Sequence, residues 1–221
     1  DIAWLDNWIN GGNYQSLKEL KGKVVVLDFW TYSCINCIRT LDALKTLHAT
    51  YADKWLVIVG IHAPEFQFEK DIKNVQKAVE EYGLEYPVVQ DNDFKTRQNY
   101  NNRYRPAKYI IDKEGVIRYT HFGEWGYEET EQVIQYLLGV HNEWVLTDEV
   151  ANYMPDQTPE TYLGSLRAQP GMGWYAATSE LNRWRLASNW SQTPEHIVLK
   201  SSTWSLFMNV FASQINLVMG N

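Results

Sequence analysis

The chain contains two cysteines, Cys34 and Cys37, which lie three positions apart. They follow an apolar run over residues 23–30 that is typical of a strand in the middle of a sheet. A helix is predicted to begin at about Cys34, because apolar residues then recur on one helical face: Cys37, Leu41, Leu44, Leu47 and Tyr51. A thiol at a helix N-terminus lies beside unpaired backbone N–H groups that favour the thiolate, the nucleophile of disulfide exchange. The pair therefore predicts a dithiol–disulfide redox centre.

Three other uses of a C-x-x-C pair fit the sequence less well. A structural zinc site needs four ligands, whereas no third cysteine is present and the five histidines are scattered singly. Covalent haem attachment requires a histidine directly after the second cysteine, and Ile38 occupies that position. A purely structural disulfide would close so short a loop that it would add little stability. We therefore predict no metal and no cofactor beyond a redox-active disulfide between Cys34 and Cys37.

The elements around the pair predict an α/β sheet with parallel crossovers, because strands and helices alternate from residue 23 to about residue 140. Further strands are predicted over residues 55–61, 86–89, 107–111 and 116–121. Helices are predicted over residues 70–82, 93–101 and 127–138, with Asp93 capping the second and Gly139 ending the third. These elements make a first domain over residues 1–140.

The composition changes after this domain. Residues 141–157 are acidic and irregular, which indicates a linker. From residue 158 to residue 221, turn residues separate strand-like runs over 184–186, 196–199, 204–211 and 215–219, which predicts a smaller all-β domain. About sixty residues supply only half of a jelly-roll sandwich. We therefore expect this sandwich to be truncated or completed by another chain, and its exposed edge favours a homodimer.

The aromatic residues of the β-rich part allow two interpretations. Trp174, Trp184, Trp190 and Trp204 form either a platform for stacking on sugar rings or, in the preferred interpretation, part of the core.

Charge and hydropathy exclude several function classes. The net charge of −7 leaves no basic stripe for nucleic acid and no cationic cluster for an anionic membrane surface. No apolar run approaches the ~20 residues of a membrane span. Since the chain begins at Asp1 rather than Met, we expect it to be processed or excised from a longer precursor.

Four segments resemble the thioredoxin superfamily, in particular the thioredoxin-like domains of the TlpA/ResA group and of DipZ-type thiol:disulfide interchange proteins. They are residues 26–41 with the motif TYSCINC, 60–66 (GIHAPEF), 86–89 (YPVV) and 105–112 (RPAKYIID). Residues 158–164 resemble the start of the second soluble domain of DipZ-type proteins, which is similar to carbohydrate-binding jelly rolls. The resemblance covers most of the chain and implies a thioredoxin-like fold followed by a partial sandwich.

The resemblance also implies roles for residues around the dithiol. Cys34 would attack the client and Cys37 would resolve the mixed disulfide. Asp28, six residues before Cys34, would be a buried acid that exchanges a proton with Cys37; otherwise it is a polar residue at a strand end.

Further residues are placed near the site by the same resemblance. Pro106, preceded by Arg105, would be a cis-proline facing the sulfurs, and its missing N–H would leave a groove for an extended client. Trp30 and Arg105 would border that groove, although Trp30 also suits the core. Glu65 is either an acid that tunes the thiols or a solvated loop residue. Lys108 either pairs with an acid near the site or extends to the surface.

The activity implied by the resemblance is exchange of disulfides with protein clients in the periplasm or another extracytoplasmic compartment. The chain would act as a membrane-tethered reductant fed by a CcdA-like membrane electron donor, with cytochrome c maturation among its uses. A thiol peroxidase is one alternative, because Thr31-x-x-Cys34 matches part of the peroxiredoxin pattern, although Leu27 replaces its proline and no remote resolving cysteine exists. A glycan-binding module with an incidental dithiol is the other.

Overall fold

The computed structural model describes residues 2, 5–141, 144–148, 158–168, 181–187 and 189–219. The chain divides into two compact units, Asp1–Ala151 with Val218–Asn221, and Asn152–Leu217. The predicted domain limits at residues 140 and 158 stay predictions, because most of the intervening stretch lies outside the described residues. Among those residues, no helix is long and apolar enough to cross a membrane.

A six-stranded mixed sheet forms the centre of the first unit, in the order β1-β4-β3-β2-β5-β6. Its strands are β1 Asp6–Ile9, β2 Val24–Trp30, β3 Leu56–His62, β4 Val88–Gln90, β5 Ala107–Ile111 and β6 Ile117–Phe122. The parallel pairs are β2–β3 and β3–β4, whereas β1, β5 and β6 run antiparallel to their neighbours. Five of these strands match predicted ones; β1 was missed because its four residues, DNWI, show no strand-like alternation.

In the described part of this unit, four α-helices accompany the sheet: α1 Ile35–Tyr51, α2 Ile72–Glu81, α3 Lys95–Asn99 and α4 Tyr127–Leu138. As predicted, α4 ends at Gly139, whose φ of 76° suits a residue without a side chain. The predicted cap of α3 is wrong. Asp91, not Asp93, accepts the backbone N–H groups of Thr96 and Arg97, at 3.1 and 2.8 Å, because Phe94 turns the chain into a left-handed conformation first.

Strand β2 is buried on both faces and divides the apolar residues into two clusters. Val24, Val26 and Trp30 belong to the cluster that contains side chains of α1, α2 and α4. Val25, Leu27 and Phe29 belong to the cluster formed with the N-terminal segment. Because side chains alternate along a strand, Asp28 faces the cluster that contains α1. The first unit thus has a thioredoxin-like α/β fold, as predicted.

In the second unit, the described residues form two small antiparallel sheets. Strands β7 Arg183–Ala187 and β10 Ser205–Asn209 pair with each other, as do β8 Trp190–Gln192 and β9 Ile197–Leu199. The all-β character matches the prediction, but the strand predicted over residues 215–219 is wrong. Residues 215–219 have no regular secondary structure and pair with no strand of the described residues, and their side chains are exposed.

The tryptophans of this unit that the structure describes do not share one flat face. Trp184 is buried, and the rings of Trp190 and Trp204 meet edge to face at 78°. Trp174 lies outside the described residues. This arrangement fits the packing interpretation better than a platform for sugar rings, which needs coplanar exposed faces.

Candidate active site

Cys34 lies at the N-cap of α1, where the sequence predicts it. Its Sγ accepts the backbone N–H of Cys37 at 3.4 Å, and its own N–H donates to the carbonyl of Thr31 at 3.3 Å. The side chain is half-buried, so it is within reach of a partner molecule. The two sulfurs are not bonded to each other. An ionised sulfur at this position is stabilised by the N–H groups and the dipole of the helix end.

Cys37 lies in the first turn of α1 and is completely buried, because that face of the helix packs into the core. Burial raises the pKa of its thiol well above the usual value, and the neighbouring Cys34 and Asp28 raise it further. Cys37 is therefore a protonated thiol at neutral pH. It needs a base before it can attack a disulfide.

Asp28 is the titratable group that β2 places beneath the dithiol. In the sheet it lies between Gly60 of β3 and Lys108 of β5. Its side chain is completely buried, and neither carboxyl oxygen has a hydrogen-bond partner among the described residues. Burial raises the pKa of Asp28 to about 6, and the charge of Lys108 opposes that rise. Asp28 can therefore change its protonation state close to neutral pH.

Lys108 is 1% exposed, so the alternative of a surface lysine is wrong. The antiparallel register pairs it with Asp28, and directly opposed residues project to the same face of a sheet. Burial lowers the pKa of Lys108, whereas negative charge on Asp28, on Cys37 when that thiol is ionised, and on Glu124 favours its protonated form. Its Nζ has no hydrogen-bond partner among the described residues. The sequence prediction that Lys108 pairs with an acid thus corresponds to an electrostatic pair with Asp28.

Pro106 opens β5, and the Arg105–Pro106 peptide bond is cis. The Arg105 guanidinium donates to the carbonyl of Ala63 at 3.3 Å. A second guanidinium nitrogen lies 3.9 Å from a carboxylate oxygen of Glu65. The structure thus brings Arg105, Pro106 and Glu65 together at the end of β3. Roles for them toward the thiols stay predictions.

Trp30 ends β2 and is completely buried, with its ring edge-on to His62 at 5.5 Å between centroids. Its side chain therefore supports the site from the core and does not line its surface, in contrast to the predicted place beside the client groove. Burial and the charge of Arg105 lower the pKa of His62 to about 3, so this imidazole is neutral.

Glu69 is a site residue that sequence reasoning missed. Its carboxylate is completely buried and accepts hydrogen bonds from the hydroxyls of Thr31 and Ser33, both at 2.5 Å. The backbone N–H groups of Glu65 and Phe66 donate to its other oxygen. The one available signal was its position three residues after Phe66, where a glutamate often accepts an N–H group at a helix start.

No metal site accompanies these residues. Across the residues that the structure describes, no cluster of three or more histidine, cysteine, aspartate or glutamate side chains is arranged to hold a metal ion.

Comparison with known proteins identifies relatives for this arrangement. Residues 6–120 match the AhpC/TSA family. Protein DipZ of Mycobacterium tuberculosis is 34% identical over 100% of the chain, which spans 34% of that protein's length. Thioredoxin-like protein YneN of Bacillus subtilis is 35% identical over 55% of the chain and 69% of its own length.

A solved structure from Chlorobium tepidum, provisionally assigned as thiol:disulfide interchange protein DsbE, is similar with a TM-score of 0.51 and 26% identity. The similarity covers 56% of this chain and 85% of that one. The family match covers just over half of the chain and includes Cys34, Cys37 and Asp28. The chain therefore belongs to the AhpC/TSA family, and its relatives include a thioredoxin-like protein and protein DipZ.

Proposed function

We propose that this protein reduces disulfide bonds of protein clients by exchange through Cys34 and Cys37. The observation that carries the proposal is the contrast between the two thiols. Cys34 is half-buried at a helix N-terminus, where its sulfur accepts an N–H group, whereas Cys37 is sealed in the core beside a titratable acid. This asymmetry suits one sulfur to attack a client and the other to resolve the product.

In the first step the Cys34 thiolate attacks one sulfur of the client disulfide. A bond forms between Cys34 Sγ and that sulfur while the client S–S bond breaks, and the second client sulfur leaves as a thiolate that takes a proton from solvent. The half-exposed position of Cys34 admits the client sulfur. The Arg105–Pro106 segment is the proposed side of the groove for the client chain.

In the second step Cys37 attacks Sγ of Cys34, the bond between that Sγ and the first client sulfur breaks, and this client sulfur leaves as a thiolate that takes a proton. Because burial raises the pKa of Cys37, its proton must be removed as the attack proceeds. Asp28, with a pKa of about 6, is ionised at neutral pH and is our candidate for the proton acceptor. The client gains two electrons, and the chain ends with a Cys34–Cys37 disulfide.

Each turnover oxidises the dithiol, so a reductant must restore it. We propose that a CcdA-like membrane protein supplies these electrons and that the chain works in the periplasm or another extracytoplasmic compartment, tethered to the membrane in the whole protein. The relationship to DipZ supports this proposal. Cytochrome c maturation is one proposed use.

The exchange reaction is preferred to a peroxidase reaction because of the hydrogen bonds of Thr31. A threonine that oriented a peroxide at Cys34 would have to direct its hydroxyl to the bound oxygen. Here that hydroxyl donates to Glu69 and lies 3.2 Å from Nε2 of His62. Rapid oxidation of Cys34 by hydrogen peroxide, with slow reaction toward protein disulfides, would reverse this preference.

The test compares reduction of insulin disulfides by the chain and by two variants, with dithiothreitol as electron source. Cys34→Ser should abolish activity, since the remaining thiol, Cys37, is completely buried and cannot reach the client. Cys37→Ser should accumulate a mixed disulfide between Cys34 and the insulin chain, which mass spectrometry detects. Full turnover by Cys37→Ser would contradict the two-thiol mechanism.

We also propose that the β-rich unit supports a homodimer. In the described residues each of its sheets has two strands, and an outer edge that lacks a partner can pair with another chain. A monomeric mass by light scattering at micromolar concentration would rule out the dimer.

A further inference from the structure

The residues directly before Cys34 are held by a single buried carboxylate. Oε1 of Glu69 accepts the hydroxyls of Thr31 and Ser33, and Oε2 accepts the N–H groups of Glu65 and Phe66. The first pair belongs to the loop between β2 and α1, and the second pair to the segment after β3. Glu69 therefore ties together the two loops that meet beside the nucleophile.

The hydrogen bonds around Glu69 all point toward its carboxylate. Two of the four groups donate to Oε1 and two donate to Oε2. Because the Thr31 hydroxyl donates to Glu69, it must accept from Nε2 of His62, which lies 3.2 Å away. The hydrogen bonds of this network are thus donated in one direction, since the neutral His62 donates to Thr31 and Thr31 donates to Glu69.

We propose that Glu69 is a positioning residue for Cys34. It holds Thr31 and Ser33, and the Thr31 carbonyl in turn accepts the N–H of Cys34. This turn sets where the sulfur lies over the first turn of α1. The inference rests on the proposed function only in taking Cys34 as the nucleophile, because the network itself does not depend on any client.

Two physical effects of Glu69 on Cys34 have opposite signs, so experiment can separate them. If the carboxylate acts through position, its loss lets the sulfur move from the helix N–H groups, and the thiol pKa rises. If it acts only through its negative charge, its loss favours the thiolate and the thiol pKa falls. If it serves only the stability of the fold, the thiol pKa does not change.

The experiment measures the rate of Cys34 alkylation by iodoacetamide against pH in the reduced chain. Glu69→Gln replaces one carboxylate oxygen by an amide nitrogen, which donates and cannot accept, so the two hydrogen bonds to that oxygen are lost or reversed. Ser33→Ala removes a single donor from a half-buried position and leaves the charge of Glu69 in place. It therefore reports on position alone, and it serves as the milder variant where Glu69→Gln folds poorly.

The matched control is Glu131→Gln. Glu131 is also completely buried and also accepts a hydroxyl, from Tyr51, and two backbone N–H groups, from Val145 and Leu146. Tyr51 ends α1, about 25 Å from Cys34 for a helix of 17 residues. This control loses a similar network but should leave the thiol unchanged.

We expect the pKa of the Cys34 thiol to rise by about half a unit or more in Glu69→Gln and by less in Ser33→Ala. Glu131→Gln should lower the unfolding temperature and leave the thiol pKa at its wild-type value. A fall or no change of the thiol pKa in both Glu69→Gln and Ser33→Ala would overturn the inference. Alkylation needs no client, so absence of insulin reduction would refute the proposed function without deciding this test.

Discussion

Replacing Asp28 by asparagine should stabilise the protein at neutral pH and slow its chemistry. The raised pKa of Asp28 means that the folded state holds this proton more tightly than the unfolded state does. Between the ordinary value of 3.8 and the folded value of about 6, the folded state therefore binds more protons, and wild-type stability falls as pH rises. The loss is complete above pH 6.

The size of this effect follows from the two pKa values. A difference of about 2 units corresponds to about 3 kcal/mol of unfolding free energy. This is an upper limit for the gain in Asp28→Asn, because Lys108 loses its buried counter-charge. We expect a gain of about 1–3 kcal/mol at pH 7 and almost none near pH 4.

Urea unfolding followed by circular dichroism, with the dithiol kept reduced, measures this gain from pH 4 to pH 8. Insulin reduction by the same variant should be slower than wild type, mainly near neutral pH, where Asp28 normally accepts the proton of Cys37. A stability gain that is the same at pH 4 and pH 7 would refute the reasoning, since the gain would not come from ionisation. An unchanged pH–rate profile would remove Asp28 as proton acceptor.

Two further predictions concern neighbouring charges and a distant cap. Lys108→Met should raise the pKa of Asp28 above its wild-type value, because the charge that opposes the effect of burial is lost. Carbon-13 NMR titration of the Asp28 carboxyl measures this pKa. An unchanged midpoint would contradict an electrostatic interaction between Asp28 and Lys108. Asp148→Ala should cost about 1 kcal/mol of unfolding free energy, because Asp148 accepts the N–H groups of Tyr127 and Glu128 at the start of α4. Asp148→Asn, which can still accept, is the matched control, and an equal loss in both variants would argue against capping.

The dithiol and the strand before it could be predicted because their signals are local. The apolar run of β2 and the C-x-x-C motif at the following helix occupy adjacent positions in the sequence. The role of Asp28 on that strand was predicted from the resemblance to the thioredoxin superfamily. The register between β2 and β5 places Lys108, eighty residues away in the sequence, opposite Asp28. No local pattern of the sequence reveals this pairing.

Glu69, Glu131 and Asp148 were missed for a different reason. Each is a charged side chain in a polar stretch, and such residues are usually solvated. Glu69 and Glu131 are buried, and Asp148 is partly buried, by contacts with residues 14 to 80 positions away along the chain, such as Tyr51 with Glu131 or Leu146 with Glu131. The same contacts explain why residues 144–148, predicted as part of a linker, are held by hydrogen bonds to Glu131 and, through Asp148, to the start of α4.

Among the described residues of the first unit, three carboxylates are completely buried, and they differ in their hydrogen-bond partners. Glu69 and Glu131 each accept hydrogen bonds from four groups. Asp28 accepts none from the described residues, and its ionised form depends on the charge of Lys108 alone against the cost of burial. A carboxylate held by four donors cannot accept a further proton without losing a hydrogen bond. Asp28 loses none, which is why it suits proton exchange with Cys37 whereas Glu69 suits the positioning of Cys34.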